Sequence, residues 1–179
     1  MAAANKLTSW PAATAPNQIW VGEITYLALA LATGHWAYLA CWRDAFSRRV
    51  VGWQVSESLH TDLILTAFNR ALAVCQPTPG LLVHADRGSQ YTSDAFTTLL
   101  TRTQAIPSLS KPGNALAESG WSTLRTELLP RGACFADLEE ARLELAEYLN
   151  HCYNTQRLHS ALGYFPLEIE LHYRFNNLH

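Results

Sequence analysis

Charge is scarce in this sequence. Asp, Glu, Lys and Arg make up 16% of its 179 residues, against 49% apolar residues. That balance excludes a disordered chain and supplies the core of one domain. A basic excess is also missing: 13 Lys and Arg face 15 Asp and Glu, for a net charge of −2 and a pI near 6.4. Bulk attraction to nucleic acid is thereby excluded, although a local basic face is not. No run approaches the roughly 20 apolar residues of a membrane helix, and Met1–Trp10 lacks a basic stretch leading into an apolar one. The cytoplasm is the expected location. Among the four cysteines, Cys41, Cys75, Cys134 and Cys152, there is no CxxC pair and no spacing suited to zinc, so they read as small hydrophobes in a reducing compartment. Internal repeats and low-complexity segments are absent.

What the sequence does contain is a change of period along the chain. Residues 1–16, with Pro11, Pro16 and several alanines, read as a flexible leader, and 17–179 as a folded core with a C-terminal helical tail. Ile19–Leu31, His35–Trp42 and Arg48–Ser56 are β-branched and aromatic with short links, which predicts an antiparallel meander turning at Thr33-Gly34. Thr61–Gln76 shifts to helical period. Leu63, Ala67, Phe68, Ala71, Leu72 and Cys75 share a face, Thr61 is the expected N-cap and Pro77 the stop. Leu81–His84 predicts a buried central strand and Ala105–Leu109 a fifth. Helices are predicted over Ser93–Thr103, Ala115–Leu129 and Asp137–Tyr153, the last capped by Asp137 with Glu140 three positions on. This order predicts an α/β fold: a mixed five-stranded sheet, three antiparallel strands then two crossover strands, with helices on both faces.

Carboxylates that interrupt apolar strands are the informative polar residues. Burying one is costly unless it is paired, hydrogen-bonded or metal-bound. Glu23 interrupts the first strand, Asp86 directly follows the fourth, and Glu118 opens a predicted helix after the fifth. Brought to one point, three such groups repel, and a hard divalent cation with oxygen ligands, Mg²⁺ or Mn²⁺, relieves the repulsion. Two such ions activate a water or a 3′-hydroxyl against a phosphodiester. Spacing alone leaves another reading open, with Glu23 a surface charge, Asp86 a turn residue and Glu118 on a solvated helix face. Asp44 reads as a turn former and His84 as a satisfied core histidine.

Local sequence narrows the choice. Six blocks stand in order: Pro16–Val21 with Ile24-Thr25-Tyr26; Asp44–Trp53; His84–Tyr91; Ala117-Glu118-Ser119; Thr123–Glu127; and Tyr153–Tyr164. Together they resemble the integrase catalytic core, DDE type, of bacterial insertion-sequence transposases, within the retroviral-integrase superfamily. The resemblance covers roughly residues 16 to 170. It implies a ribonuclease-H-like fold, with DNA cleavage and strand transfer (DNA integration, recombination and transposition) using two Mg²⁺ or Mn²⁺ ions and no covalent enzyme intermediate. Carried over by motif, Glu23, Asp86 and Glu118 are the catalytic, metal-holding acids. Arg87, Gln90, Lys111 and Arg125 flank them as expected DNA contacts. The implied partners are DNA, as transposon ends and target, and a second copy of the chain in a homodimer.

Three departures accompany the likeness. The first acid is Glu23 where the family carries aspartate. One extra methylene displaces a carboxylate by about 1.5 Å, against a geometric tolerance of roughly 0.5 Å in catalytic sites. The span from Asp86 to Glu118 is shorter than the family's, its turn reduced to Gly113-Asn114-Ala115. Nothing before Trp20 is expected to form the helix-turn-helix region that reads element ends. These departures carry the alternative expectation of an inactive or domesticated remnant that binds nucleic acid or assists assembly.

Overall fold

The computed structural model describes residues 3–30, 36–110, 134–156, 158–159 and 165–166. β1 (Ile19–Ala28), β2 (Trp36–Asp44), β3 (Val50–Ser56), β4 (Leu82–Ala85) and β5 (Ile106–Leu109) build one sheet in the order β3-β2-β1-β4-β5. The first three pair antiparallel. β4 joins β1, and β5 joins β4, in parallel. Parallel neighbours require crossovers, and α1 (Thr61–Cys75) and α2 (Asp94–Arg102) supply them. α3 (Leu138–Ala146) continues as a wider-turned π segment over Glu147–Gln156, followed by a two-stranded pair, β6 (Leu158–His159) and β7 (Phe165–Pro166). The mixed sheet with helices on both faces is the architecture the sequence predicts. The helix expected over Ala115–Leu129 lies outside the described residues.

Strand alternation sorts the core into two layers. Trp20, Ala40, Trp42, Val83 and Ala85 meet Ile64, Phe68 and Phe96 from α1 and α2 on one face. There Trp42 stacks on Phe96 at 5.7 Å and meets Phe68 edge-on at 5.0 Å. Leu27, Leu39, Cys41 and Val55 meet Ala141, Leu145, Leu149 and Tyr153 on the other. Each fully buried side chain of this size contributes about 1.5–3 kcal/mol of transfer free energy. α1 sits directly on β3 because Gly52 has no side chain; a Cβ there would stand 2.3 Å from the Ala67 carbonyl oxygen.

Helix starts follow the expected chemistry with one correction. Ser93 caps α2, accepting the Phe96 N–H, and Asp137 caps α3, accepting the Glu140 N–H at 2.8 Å. At α1 the N-cap is His60 rather than Thr61, and its side chain makes no capping bond; Asp62 places negative charge in the first turn instead. Along α3 and the π segment the buried residues Ala141, Leu145, Leu149 and Tyr153 recur every fourth position. Four residues overshoot a 3.6-residue α turn and undershoot the wider π turn, so the change of helix type keeps the stripe on the sheet.

The segment ahead of β1 docks on the sheet. Leu7, Trp10 and Ala13 pack against Ile19, Val21 and Leu82. The Lys6 and Leu7 N–H groups both donate to the Ser108 hydroxyl, at 2.9 and 3.2 Å.

Candidate functional site

Glu23 lies in the middle of β1 and Asp86 one residue past the end of β4. The two strands pair with Val21 opposite His84. Glu23 and Asp86 each lie two residues beyond that pair. Neighbouring strands stand about 4.8 Å apart, and carboxylates brought that close repel unless a cation lies between them. Alternation puts Glu23 on the face of Val21, away from α1 and α2.

Tyr91 registers both charges and Cys41 that of Glu23. Burial, then the charge of Asp86, then that of Glu23, push the Tyr91 phenol well above its usual value. Cys41 is the cross-strand partner of Glu23, and burial followed by the Glu23 charge pushes its thiol well up. Glu23 is partly buried, with one carboxylate oxygen shielded from solvent, whereas Asp86 is exposed. Oxygen donors of this kind suit a hard divalent ion. Among the described residues no group of three or more His, Cys, Asp or Glu side chains gathers as an ion site. Glu118, the third acid expected there, lies outside the described residues, as do Lys111 and Arg125.

The loop after β4 shapes the Asp86 end. The Gly88 N–H donates to Asp86 Oδ1 at 2.7 Å. A Cβ on Gly88 would press that oxygen at 2.9 Å, so a larger residue there would displace the Asp86 carboxylate. Arg87 is exposed beside it. Gln90 is half-buried, and its Nε2 donates to the Leu59 carbonyl at 3.0 Å, which fastens the loop to the β3–α1 link. That tether has no local signal in the sequence, because its two ends lie 31 residues apart.

Two further residues sort cleanly. Asp44, 1% exposed, accepts the N–H groups of Asn17 at 2.7 Å, Phe46 at 3.1 Å and Ser47 at 2.7 Å, and the Ser47 hydroxyl at 2.9 Å. Its oxygens are consumed by the turn it forms, as a turn-forming aspartate requires. His84 is buried, and its Nδ1 stands 2.9 Å from the Ser108 hydroxyl. That hydroxyl already accepts two backbone N–H groups, so it donates to Nδ1, and the neutral ring carries its proton on Nε2. Burial lowers the imidazole's pKa and favours this neutral form. No helix among the described residues is long and apolar enough to cross a membrane.

Comparison with known proteins bears on what this geometry is. Two models described as integrase core domain match the chain, over residues 13–115 and 101–166. The transposase for insertion sequence element IS904 of Lactococcus lactis is 41% identical over 156 residues, covering 85% of this chain and 60% of that protein. Transposase InsF for insertion sequence IS3A of Escherichia coli is 36% identical over 155 residues, covering 84% of this chain and 52% of that one. The chain therefore spans between half and two thirds of the length of these relatives. Among solved structures, the HTLV-2 integrase catalytic core domain in complex with magnesium matches with a TM-score of 0.61 at 20% identity, over 88% of this chain and 98% of that chain. That likeness is one of fold, the ribonuclease-H-like sheet. With the sheet order, the strand register and the matched residues in agreement, the chain belongs to the integrase core domain family.

Proposed function

We propose that this chain is the catalytic core of a transposase that cleaves and joins DNA phosphodiesters at element ends, working in the cytoplasm. The observation that supports the reading is the parallel β1–β4 pairing with Val21 opposite His84, two residues short of Glu23 on one strand and of Asp86 beyond the other. Glu23, Asp86 and Glu118 would hold Mg²⁺ or Mn²⁺, with two ions expected. Bound there, the ions supply Lewis-acid activation of a water or 3′-hydroxyl and stabilise the leaving oxygen. The chain's own groups prepare the site. Gly88 orients Asp86 through its N–H, and Gln90 holds the loop against the β3–α1 link. Arg87, Lys111 and Arg125 neutralise phosphates near the scissile bond, and Gln90 borders the path of the strand. The partners are DNA and a second copy of the chain.

The remnant reading is not favoured, since the relatives at 34–41% identity include named transposases. The deciding experiment is nicking of supercoiled plasmid in Mn²⁺ by the wild-type chain and by D86N. Metal-dependent nicking that disappears in D86N is expected; nicking that persists in D86N would remove Asp86 from the site.

A further inference from the structure

The segment ahead of β1 wraps the outer edge of β5, the last strand of the sheet beyond β4. Ala3 packs against the core layer under α1 and α2. Leu7, Trp10 and Ala13 pack against Ile19, Val21 and Leu82 on the opposite face. Between these anchors the Ala4 carbonyl accepts the Leu109 N–H at 3.3 Å, a group that a bare edge strand would leave open to another chain. Residues 3–13 therefore form a strap across the β5 edge.

Covering an edge needs only backbone, yet a line of hydrogen bonds leads from the strap inward. The Lys6 and Leu7 N–H groups donate to the Ser108 hydroxyl, and that hydroxyl donates to His84 Nδ1 at 2.9 Å. Ser108 and His84 are both 0% exposed, so water cannot stand in for a lost partner. β5 continues the connection beyond Ser108. Leu109 pairs with Ala85, and the Ser110 N–H donates to the Ala85 carbonyl at 3.0 Å. Three successive residues of β5 thus join the strap to the two residues of β4 that precede Asp86. His84, opposite Val21, lies on the Glu23 face of the sheet. Its ring orientation is set by a hydroxyl that the strap itself holds.

We infer that Ser108 is a positioning residue for the carboxylate site: it takes two N–H groups of the strap on one side and fixes His84 on the other, so that the docked segment sets the end of β4 that leads into Asp86. The inference rests on the reading of Glu23 and Asp86 as ion-holding acids. Ser108 acts through its neighbours and holds no ion itself. Removing an outer partner of an ion ligand lowers metal affinity by roughly 10–100-fold, and the low end of that range, about tenfold, is expected for a group this far from the carboxylates.

The test is the Kd for Ca²⁺ obtained from the dependence of Tm on Ca²⁺ concentration, for the wild-type chain, S108A, K6P and K6A. Hydrogen exchange of the strap peptide is read alongside by mass spectrometry. Lys6→Pro deletes the N–H that reaches Ser108 and keeps the carbonyl, whereas Lys6→Ala deletes only the charge. S108A and K6P are expected to weaken Ca²⁺ binding by about tenfold and to speed exchange of the strap amides, with K6A like the wild type. A lower Tm without Ca²⁺ but an unchanged Kd in both variants makes the strap a structural clamp only and overturns the inference. A K6A chain weakened as much as K6P overturns it as well, because the Lys6 charge then explains the effect. So does wild-type exchange of the strap in S108A, since Ser108 then does not hold it. Should S108A fail to fold, K6P decides. A wild-type Tm that ignores Ca²⁺ sinks the ion-holding reading and the positioning role with it, whereas a wild type that responds, matched by S108A and K6P, sinks the positioning role alone.

Discussion

Glu23→Asp shortens by one methylene the side chain that the proposed site sets beside Asp86. A misplacement of about 1 Å costs on the order of a hundredfold in rate, so E23D is expected to raise the rate of Mn²⁺-dependent nicking by up to that factor. An unchanged rate would show that the longer side chain already reaches its working position. Neighbouring Cys41 offers a second measurement. The thiolate is the reactive form, and both burial and the Glu23 charge favour the neutral thiol of Cys41. At pH 8 a thiol reagent should modify the exposed Cys134 rapidly and leave Cys41 intact until the chain is denatured, as read by mass spectrometry of the labelled peptides. Single residues also show the limit of a sequence reading. Asp44 and Asp86 both follow apolar strands in the chain. They differ in what surrounds their oxygens, four protein donors for the one and the Gly88 N–H for the other.

At the scale of elements, contact between α1 and β3 depends on the absence of a side chain. Gly52→Val would drive a branched side chain toward the Ala67 carbonyl at 2.3 Å and the Ala71 Cβ at 2.7 Å. Overpacking of this kind costs about 1–3 kcal/mol, and urea unfolding should report a lower midpoint with an unchanged slope. Wild-type stability in G52V would mean that α1 moves off the sheet freely. The elements themselves were largely legible, because hydrophobic period is a local property: α1 and α2 end within a residue or two of their predicted limits. The passage of α3 into wider turns was not legible. The stripe Ala141, Leu145, Leu149 and Tyr153 fits a helix of either kind until the sheet it must cover is specified.

For the molecule as a whole, a bound ion is linked to folding. If Glu23 and Asp86 take part in holding a divalent cation in the native state only, Ca²⁺ at a hundredfold excess over its Kd stabilises the fold by about 2.7 kcal/mol. For a chain of this size that raises Tm by roughly 5–10 °C, and D86N should abolish most of the rise. A wild-type Tm indifferent to Ca²⁺ would remove the metal from the native site. By itself the sequence determined the order of strands and helices, the two-faced core and the identity of the candidate acids, since each is written in local period, residue type or motif order. Only the tertiary structure decided that β4 lies beside β1 with Val21 opposite His84, that Gln90 reaches back to Leu59, and that four arginines of an acidic chain collect around β3. The physical reason is that register between β1 and β4, some 60 residues apart in the chain, is set by packing both faces of the sheet at once, and no short stretch of sequence contains that constraint.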